Sequence, residues 1–141
     1  MNTKRCFFAF IAAFLFIFGF EFLFHGMFMK SAYMETATLW RPEAEFHSHF
    51  PLLLLGQAVI AFFFVAIYCR GFSGSGVAGG VRLGILLALI FAGGELIQFA
   101  VQPLTTKILI SWIIGGLIEF AIVGAIVGAI YKPSTTSTML S

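Results

Sequence analysis

Charged side chains are scarce in this sequence, and the scarcity excludes most classes of soluble protein. Asp, Glu, Lys and Arg together make up 10% of the 141 residues, whereas soluble globular proteins average about 25%. Hydrophobic residues account for 60% of the chain, and the mean hydropathy is +1.03. The composition predicts an integral membrane protein surrounded by a lipid bilayer.

Motifs for catalysis and for nucleic-acid binding are also missing. The two cysteines, Cys6 and Cys69, form no disulfide framework and no Cys-x-x-Cys pair. The formal net charge of +2 is not gathered into a Lys/Arg cluster, which excludes a nucleic-acid partner. The chain contains no nucleophile–base–orienter set and no nucleotide-binding motif, so we expect a protein that is not an enzyme.

Four apolar stretches account for most of the chain. Each approaches or exceeds the ~20 residues that a helix needs to cross a hydrocarbon core of about 30 Å. They cover about residues 6–29, 50–69, 81–102 and 108–131. We therefore predict an all-α fold, a four-transmembrane-helix bundle that forms a single integral membrane domain.

The first loop, residues 30–49, has the pattern of a short helix at the membrane–water interface. Tyr33 and Trp40 are seven residues apart and share a helix face, and both residue types are favoured at that interface. Pro42, with acidic residues after it, is typical of a helix start. We predict a short interfacial helix in this first external loop, a break before Pro42, and Pro51 in the first turn of the second span.

Two other segments have the composition of flexible chain. Residues 71–80 read GFSGSGVAGG, as in glycine-rich linkers. Residues 132–141 are rich in Ser and Thr, and we predict a flexible tail there.

Basic residues are distributed unequally between the two sides of the predicted bundle. Lys4, Arg5, Arg70, Arg82 and Lys132 fall on one side, and Lys30, Arg41 and Lys107 fall on the other. Cytoplasmic loops carry the excess of Lys and Arg. The distribution predicts that both termini are cytoplasmic.

Three glutamates lie where the predicted helices cross lipid. An ionisable side chain at the bilayer centre costs roughly 2.5–3.5 kcal/mol on insertion scales, so Glu21, Glu95 and Glu119 should face a protein interior or a cavity. His25 follows Glu21 by one helical turn and can meet it on the same face. We predict that these four residues lie close together and form the functional centre, in the outer half of the bundle.

Further polar side chains are predicted to surround this centre. Two glutamines lie on the same helix face as Glu95, a third glutamine lies in the outer half of the second span, and two histidines lie at the outer end of the bundle. They are Gln98, Gln102, Gln57, His47 and His49.

Three chemistries are open for the centre. Carboxylate and imidazole on facing helices suit a divalent transition metal such as iron, manganese or zinc, although the Glu-x-x-His signature of di-iron bundles is absent. Alternatively, Glu21 and His25 form an internal ion pair, and neutral carboxyl groups hydrogen-bond to Gln57, Gln98 and Trp112 to fix the helix register. The third reading is a proton or solute pathway, since ionisable groups within a membrane are often functional.

The fourth span carries a Gly-x-x-x-Gly step. Gly124 and Gly128 lie roughly opposite Glu119 on a helix, and such small-residue stripes let helix backbones approach closely. The step predicts a tight helix–helix contact, either with another helix of the same chain or with a second subunit.

The segment from Glu21 to Gly26, with Tyr33 and the Leu39–Pro42 run LWRP, resembles a family of small uncharacterised bacterial inner-membrane proteins with four predicted helices. The resemblance covers about the first third of the chain. It implies a bacterial inner-membrane location and brings no activity with it.

These observations predict an accessory or structural subunit of a larger membrane complex, because the chain is short, has no soluble domain and carries a spare glycine face. One alternative is a metal-binding membrane protein with a Glu/His site in the outer half of the bundle. A further alternative is a proton-coupled small-solute transporter. The partners expected are the lipid bilayer and either another membrane protein or a second copy of this chain.

Overall fold

The computed structural model describes residues 2–131 and is helical in nearly all of that range. Its elements are α1 (Thr3–Leu23) with a π-helical turn (Phe24–Phe28), α2 (Lys30–Glu35), a 3₁₀ turn (Ala37–Leu39), α3 (Glu43–Ile67) with a π-helical turn (Tyr68–Phe72), α4 (Gly76–Val101) and α5 (Thr106–Ile130). The predicted tail, residues 132–141, lies outside the described residues.

Four of these helical segments are long and apolar enough to cross a membrane: Thr3–Phe28, Glu43–Phe72, Gly76–Val101 and Thr106–Ile130. The prediction of an all-α bundle with four such helices is therefore confirmed for the part of the chain that the structure describes.

Helices α4 and α5 pack more closely than any other pair within residues 2–131. Their glycines oppose one another: Gly80 faces the carbonyl group of Gly124, and Gly128 faces that of Gly76. A Cβ atom at Gly80, Gly124 or Gly128 would overlap backbone atoms of the opposite helix. The step predicted to make a tight contact is thus packed against α4 of the same chain.

One end of the bundle is densely packed. Helix α1 lies between α3 and α5, and its residues Ala9 and Ala13 are fully buried. The Tyr68 hydroxyl donates to the carbonyl oxygen of Gly76 over 2.8 Å, and the Asn2 backbone N–H donates to the Tyr131 hydroxyl oxygen over 3.2 Å. We call the end that contains Asn2, Tyr68 and Tyr131 the closed end, and the opposite end, which carries α2, the open end.

The second long helix begins earlier than its apolar stretch. α3 begins at Glu43, with Pro42 as its N-cap, whereas the apolar pattern predicted a span starting at residue 50. Pro51 is therefore inside the helix and not in its first turn. Inside the helix, the missing N–H of proline costs one backbone hydrogen bond. Hydropathy marks the apolar part of a helix and does not register the polar turns that extend it.

The glycine-rich segment 71–80 is a linker only in part. The chain turns over residues 73–75, and α4 begins at Gly76, whose φ of +57° is tolerated by glycine. The glycines at 76 and 80 serve close packing against α5. Composition alone favoured a flexible linker because glycine is common both in flexible segments and in closely packed helices.

The first loop contains the short helix that was predicted, as α2. The chain then leaves helical geometry from Trp40 to Pro42. The rings of Tyr33 and Trp40 lie 4.9 Å apart between centroids, although α2 ends at Glu35 and Trp40 follows the 3₁₀ turn, so the two residues do not share one helix as predicted. The indole N–H of Trp40 donates to the Thr36 hydroxyl over 2.9 Å, which holds the loop against α2.

Candidate functional site

A cavity of about 300 Å³ lies between the four long helices, in the half of the bundle nearer the open end. Phe91 and Phe120 line it on the side of the closed end, with ring centroids 5.2 Å apart. Its polar lining comes from all four helices: Glu21 and His25 of the α1 segment, Gln57 of α3, Glu95 and Gln98 of α4, and Trp112 and Glu119 of α5.

A chain of hydrogen bonds joins the first loop to this cavity. The Trp112 indole N–H donates to the Tyr33 hydroxyl oxygen over 2.7 Å, and the Tyr33 hydroxyl is hydrogen-bonded to His25 Nδ1. His25 Nε2 lies 3.3 Å from Glu21 Oε2. Because the Tyr33 oxygen already accepts from Trp112, we assign the Tyr33 O–H as the donor to Nδ1, which places the proton of a neutral His25 ring on Nε2, facing the carboxylate.

The chain continues from Glu21 into the protein interior. Glu119, which is 4% exposed, lines the same cavity as Glu21, and the two carboxyl groups interact electrostatically. Two like charges held close together away from water repel each other, which favours a proton shared between the two carboxyl groups. A protonatable route therefore runs from Tyr33 through His25 and Glu21 to Glu119.

Tyr33 is held as a neutral hydrogen-bond donor. Burial raises the pKa of Tyr33 to about 12; the hydrogen bond from Trp112 opposes this rise, and the nearby charge of Glu21 adds to it. The phenol therefore keeps its proton throughout the physiological range and continues to donate to His25.

Three oxygen atoms at the cavity have neither a donor nor contact with solvent. They are Oε1 of Gln57, Oε2 of Glu95 and Oε1 of Glu119, each without a hydrogen-bond partner among the described residues. A buried acceptor left without a donor costs about 1–3 kcal/mol. The three atoms lie on three different helices.

A wide apolar groove leads to the cavity from the open end. It lies between the end of α1, the first loop and the start of α3, and has a volume of about 1280 Å³. Glu21, His25 and Gln57 line both the groove and the cavity. These three side chains therefore stand at the passage between the two spaces.

The structure brings together most of the residues predicted for the centre. Glu21, His25, Glu95 and Glu119 line one cavity, as do Gln57 and Gln98 of the supporting set. Gln102 lies outside the lining and accepts a hydrogen bond from the Gln98 amide over 3.1 Å. His47 and His49 lie in the first turns of α3, away from both cavity and groove.

The four residues predicted as metal ligands do not converge on one point. Within residues 2–131, no group of three or more His, Cys, Asp or Glu side chains is arranged to hold a metal ion. The side chains instead surround an open space. A small molecule with several separate donors matches that spacing better than a single ion does.

Two aromatic residues take part that the sequence pattern did not assign to the centre. Tyr33 was interpreted only as an interfacial anchor, and Trp112 as a partner of Glu119. In the structure Trp112 binds Tyr33, which binds His25. Only the folding of α2 back over the π-helical turn places the phenol beside the imidazole, so sequence spacing contains no signal for this contact.

Gly115 makes room for the wall of the cavity. A Cβ atom there would lie 2.5 Å from Cζ of the Phe24 ring, far inside van der Waals contact. The Phe24 ring consequently fits flat between α1 and α5, next to His25.

Comparisons with protein-family models, with curated proteins and with solved structures found no match for this chain. The functional argument therefore depends on the geometry of the cavity.

Proposed function

We propose that this protein is a proton-coupled carrier of a small solute in a bacterial inner membrane, with both termini in the cytoplasm and the open end outside. The observation that carries the proposal is the route from Tyr33 through His25 and Glu21 to Glu119, which ends at a cavity with unpartnered acceptors. Such a route lets protons leave or enter the cavity as a solute binds or departs.

Charge and shape support the same reading. Glu119 is buried at the cavity, and Glu21 and Glu95 are partly buried beside it. The cavity shares lining residues with the groove at the open end and is separated from the closed end by the packed core around Phe64, Tyr68 and Val123. Access from one side at a time is what a carrier requires, and we expect a second copy of the chain to help open the closed end.

The test uses protein reconstituted into liposomes that carry a pH gradient. Capacitive currents on a solid-supported membrane are recorded while cationic, neutral and anionic small solutes are applied in turn. We expect at least one solute to drive a current that depends on the pH gradient, because binding exchanges a proton with the Glu21–Glu119 pair.

The matched variants are E119Q and E45Q. Glu119 is buried at the cavity, whereas Glu45 lies on the surface with its carboxylate 3.7 Å from Arg41. E119Q should abolish the pH dependence of the current, and E45Q should leave it unchanged. If no solute produces a current, or if E119Q transports with unaltered pH dependence, the proposal is wrong.

A further inference from the structure

We infer that the molecule recognised in the cavity is a small primary organic ammonium ion with an apolar body. The inference rests on the proposed function, because it names the substrate class of the same cavity. It is argued from the donors and acceptors, the charge and the walls of that space.

The polar groups of the cavity can be sorted into those with partners and those without. Three donors already have partners: the Trp112 N–H binds Tyr33, His25 lies against Glu21, and the Gln98 amide binds Gln102. Three acceptors remain unpartnered, on Gln57, Glu95 and Glu119. A primary ammonium group has three N–H donors and no acceptor, so its hydrogen-bonding capacity matches this set.

Two of these residues are almost completely buried. Gln57 is 7% exposed and Glu119 is 4% exposed, yet both line the cavity and each retains an oxygen without a partner. Native proteins pair the great majority of buried polar atoms. Unpartnered oxygens at such depth therefore point to a ligand that supplies the missing donors.

The charge of the lining selects a cation. No Lys or Arg is among the described residues that line the cavity, whereas three glutamates are. An anion would be repelled, and a neutral sugar would need donors that the lining does not have free. The lack of a three-ligand cluster disfavours a bare metal ion.

The walls select an apolar body. Aromatic rings surround the polar groups, from Phe20, Phe24, Phe91, Trp112 and Phe120. Aromatic faces attract ammonium groups and exclude water from them. A cavity of about 300 Å³ is at the lower limit of small-molecule sites, so the ligand is the size of a simple aryl or alkyl amine.

Binding of the cation is coupled to release of a proton. The titratable groups at the cavity are Glu21 and His25 on the α1 segment, Glu95 on α4 and Glu119 on α5. Helix α3 contributes the neutral Gln57, and Tyr33 of α2 is hydrogen-bonded to His25. Loss of a proton from the Glu21–Glu119 pair leaves a carboxylate beside the ammonium group, and this pairing of opposite charges favours the release.

The experiment measures binding of benzylammonium to the full chain in detergent by calorimetry, in buffers of different ionisation enthalpy so that released protons are counted. Ethylbenzene, its neutral isostere, and benzyltrimethylammonium, which has the charge but no N–H, are the matched ligands. We expect benzylammonium to bind with proton release and each matched ligand to bind at least about tenfold more weakly, as loss of charge-assisted hydrogen bonds requires.

Two pairs of variants locate the site. E119Q should weaken benzylammonium binding roughly 10- to 100-fold and abolish proton release, while E45Q should change neither. Q57L removes the third acceptor without a change in charge and should weaken binding with proton release retained, while T38L, at an exposed residue that lines neither the cavity nor the groove, should have no effect. Q57L keeps the test valid if E119Q does not fold.

The outcomes separate this inference from the proposed function. Equal binding of benzylammonium and ethylbenzene, or binding that Q57L and E119Q leave unchanged, would overturn the ammonium assignment. If a neutral or anionic solute drives pH-dependent currents and no ammonium binds, the carrier proposal stands and this inference is wrong. Ammonium binding with proton release but without current in liposomes would support this inference and contradict the carrier.

Discussion

Replacing Gly80 with alanine should weaken the contact between α4 and α5. The added Cβ atom would lie 2.7 Å from the carbonyl carbon of Gly124 and 3.3 Å from the backbone nitrogen of Gly128. Favourable separations between carbon atoms are about 3.5–4.0 Å, so the helices must move apart by about 1 Å. The atoms that obstruct are backbone atoms, which cannot rotate away.

The size of the effect follows from two opposing contributions. Overpacking in a well-packed core typically costs about 1–3 kcal/mol. Alanine in place of glycine within a helix returns roughly 0.5–1 kcal/mol. We therefore expect the Gly80→Ala variant to lose up to about 2.5 kcal/mol of unfolding free energy.

Gly94→Ala is the control within the same helix. No atom lies within 4 Å of a Cβ placed at Gly94, so this variant should be unchanged or stabilised by at most about 1 kcal/mol. Unfolding is followed by far-ultraviolet circular dichroism in mixed micelles with a rising fraction of denaturing detergent. The reasoning is refuted if Gly80→Ala and Gly94→Ala shift the midpoint equally, or if Gly80→Ala is the more stable of the two.

Three other predictions test the loop, the closed end and the topology. Because the folded protein favours the neutral phenol, the stability contributed by Tyr33 is complete below the ordinary tyrosine pKa of about 10 and is lost as the pH rises through about 12. The difference in phenolate absorbance between the unmodified protein and the Tyr33→Phe variant should titrate near pH 12. A difference that titrates near pH 10 would contradict the burial of Tyr33. Cys6 packs against the buried cluster that contains Cys69, so mild oxidation should join the two thiols within one chain and protect both from maleimide, whereas continued labelling of both would contradict the packing of α1 on α3. A reporter at the C-terminus should be cytoplasmic and one inserted at Thr38 external, and the opposite pattern would reverse the orientation assigned to the cavity.

The prediction of an accessory subunit stays a prediction and has lost one of its arguments. It was motivated partly by a spare glycine face on the last span. Gly124 and Gly128 instead contact the backbone of α4 at Gly80 and Gly76. The glycine face is thus already used inside the chain.

The helical architecture could be predicted from the sequence because it depends on local composition. A run of about 20 apolar residues needs internal backbone hydrogen bonds wherever water is absent, and a helix supplies them. The helix boundaries could not be predicted as well from the sequence. Glu43 and the polar residues after it belong to α3, and helical hydrogen bonds continue through polar turns that hydropathy does not detect.

The sequence by itself determined that Glu21, His25, Glu95 and Glu119 would share one polar space, because ionisable groups in apolar helices avoid lipid. Only the tertiary structure decided what kind of space it is. It placed Tyr33 on His25, left acceptors on Gln57, Glu95 and Glu119 without donors, and set glycines of a supposed linker against α5. These outcomes depend on how helices cross and how a loop folds back, and those contacts join residues far apart in the chain, where spacing along the sequence carries no information.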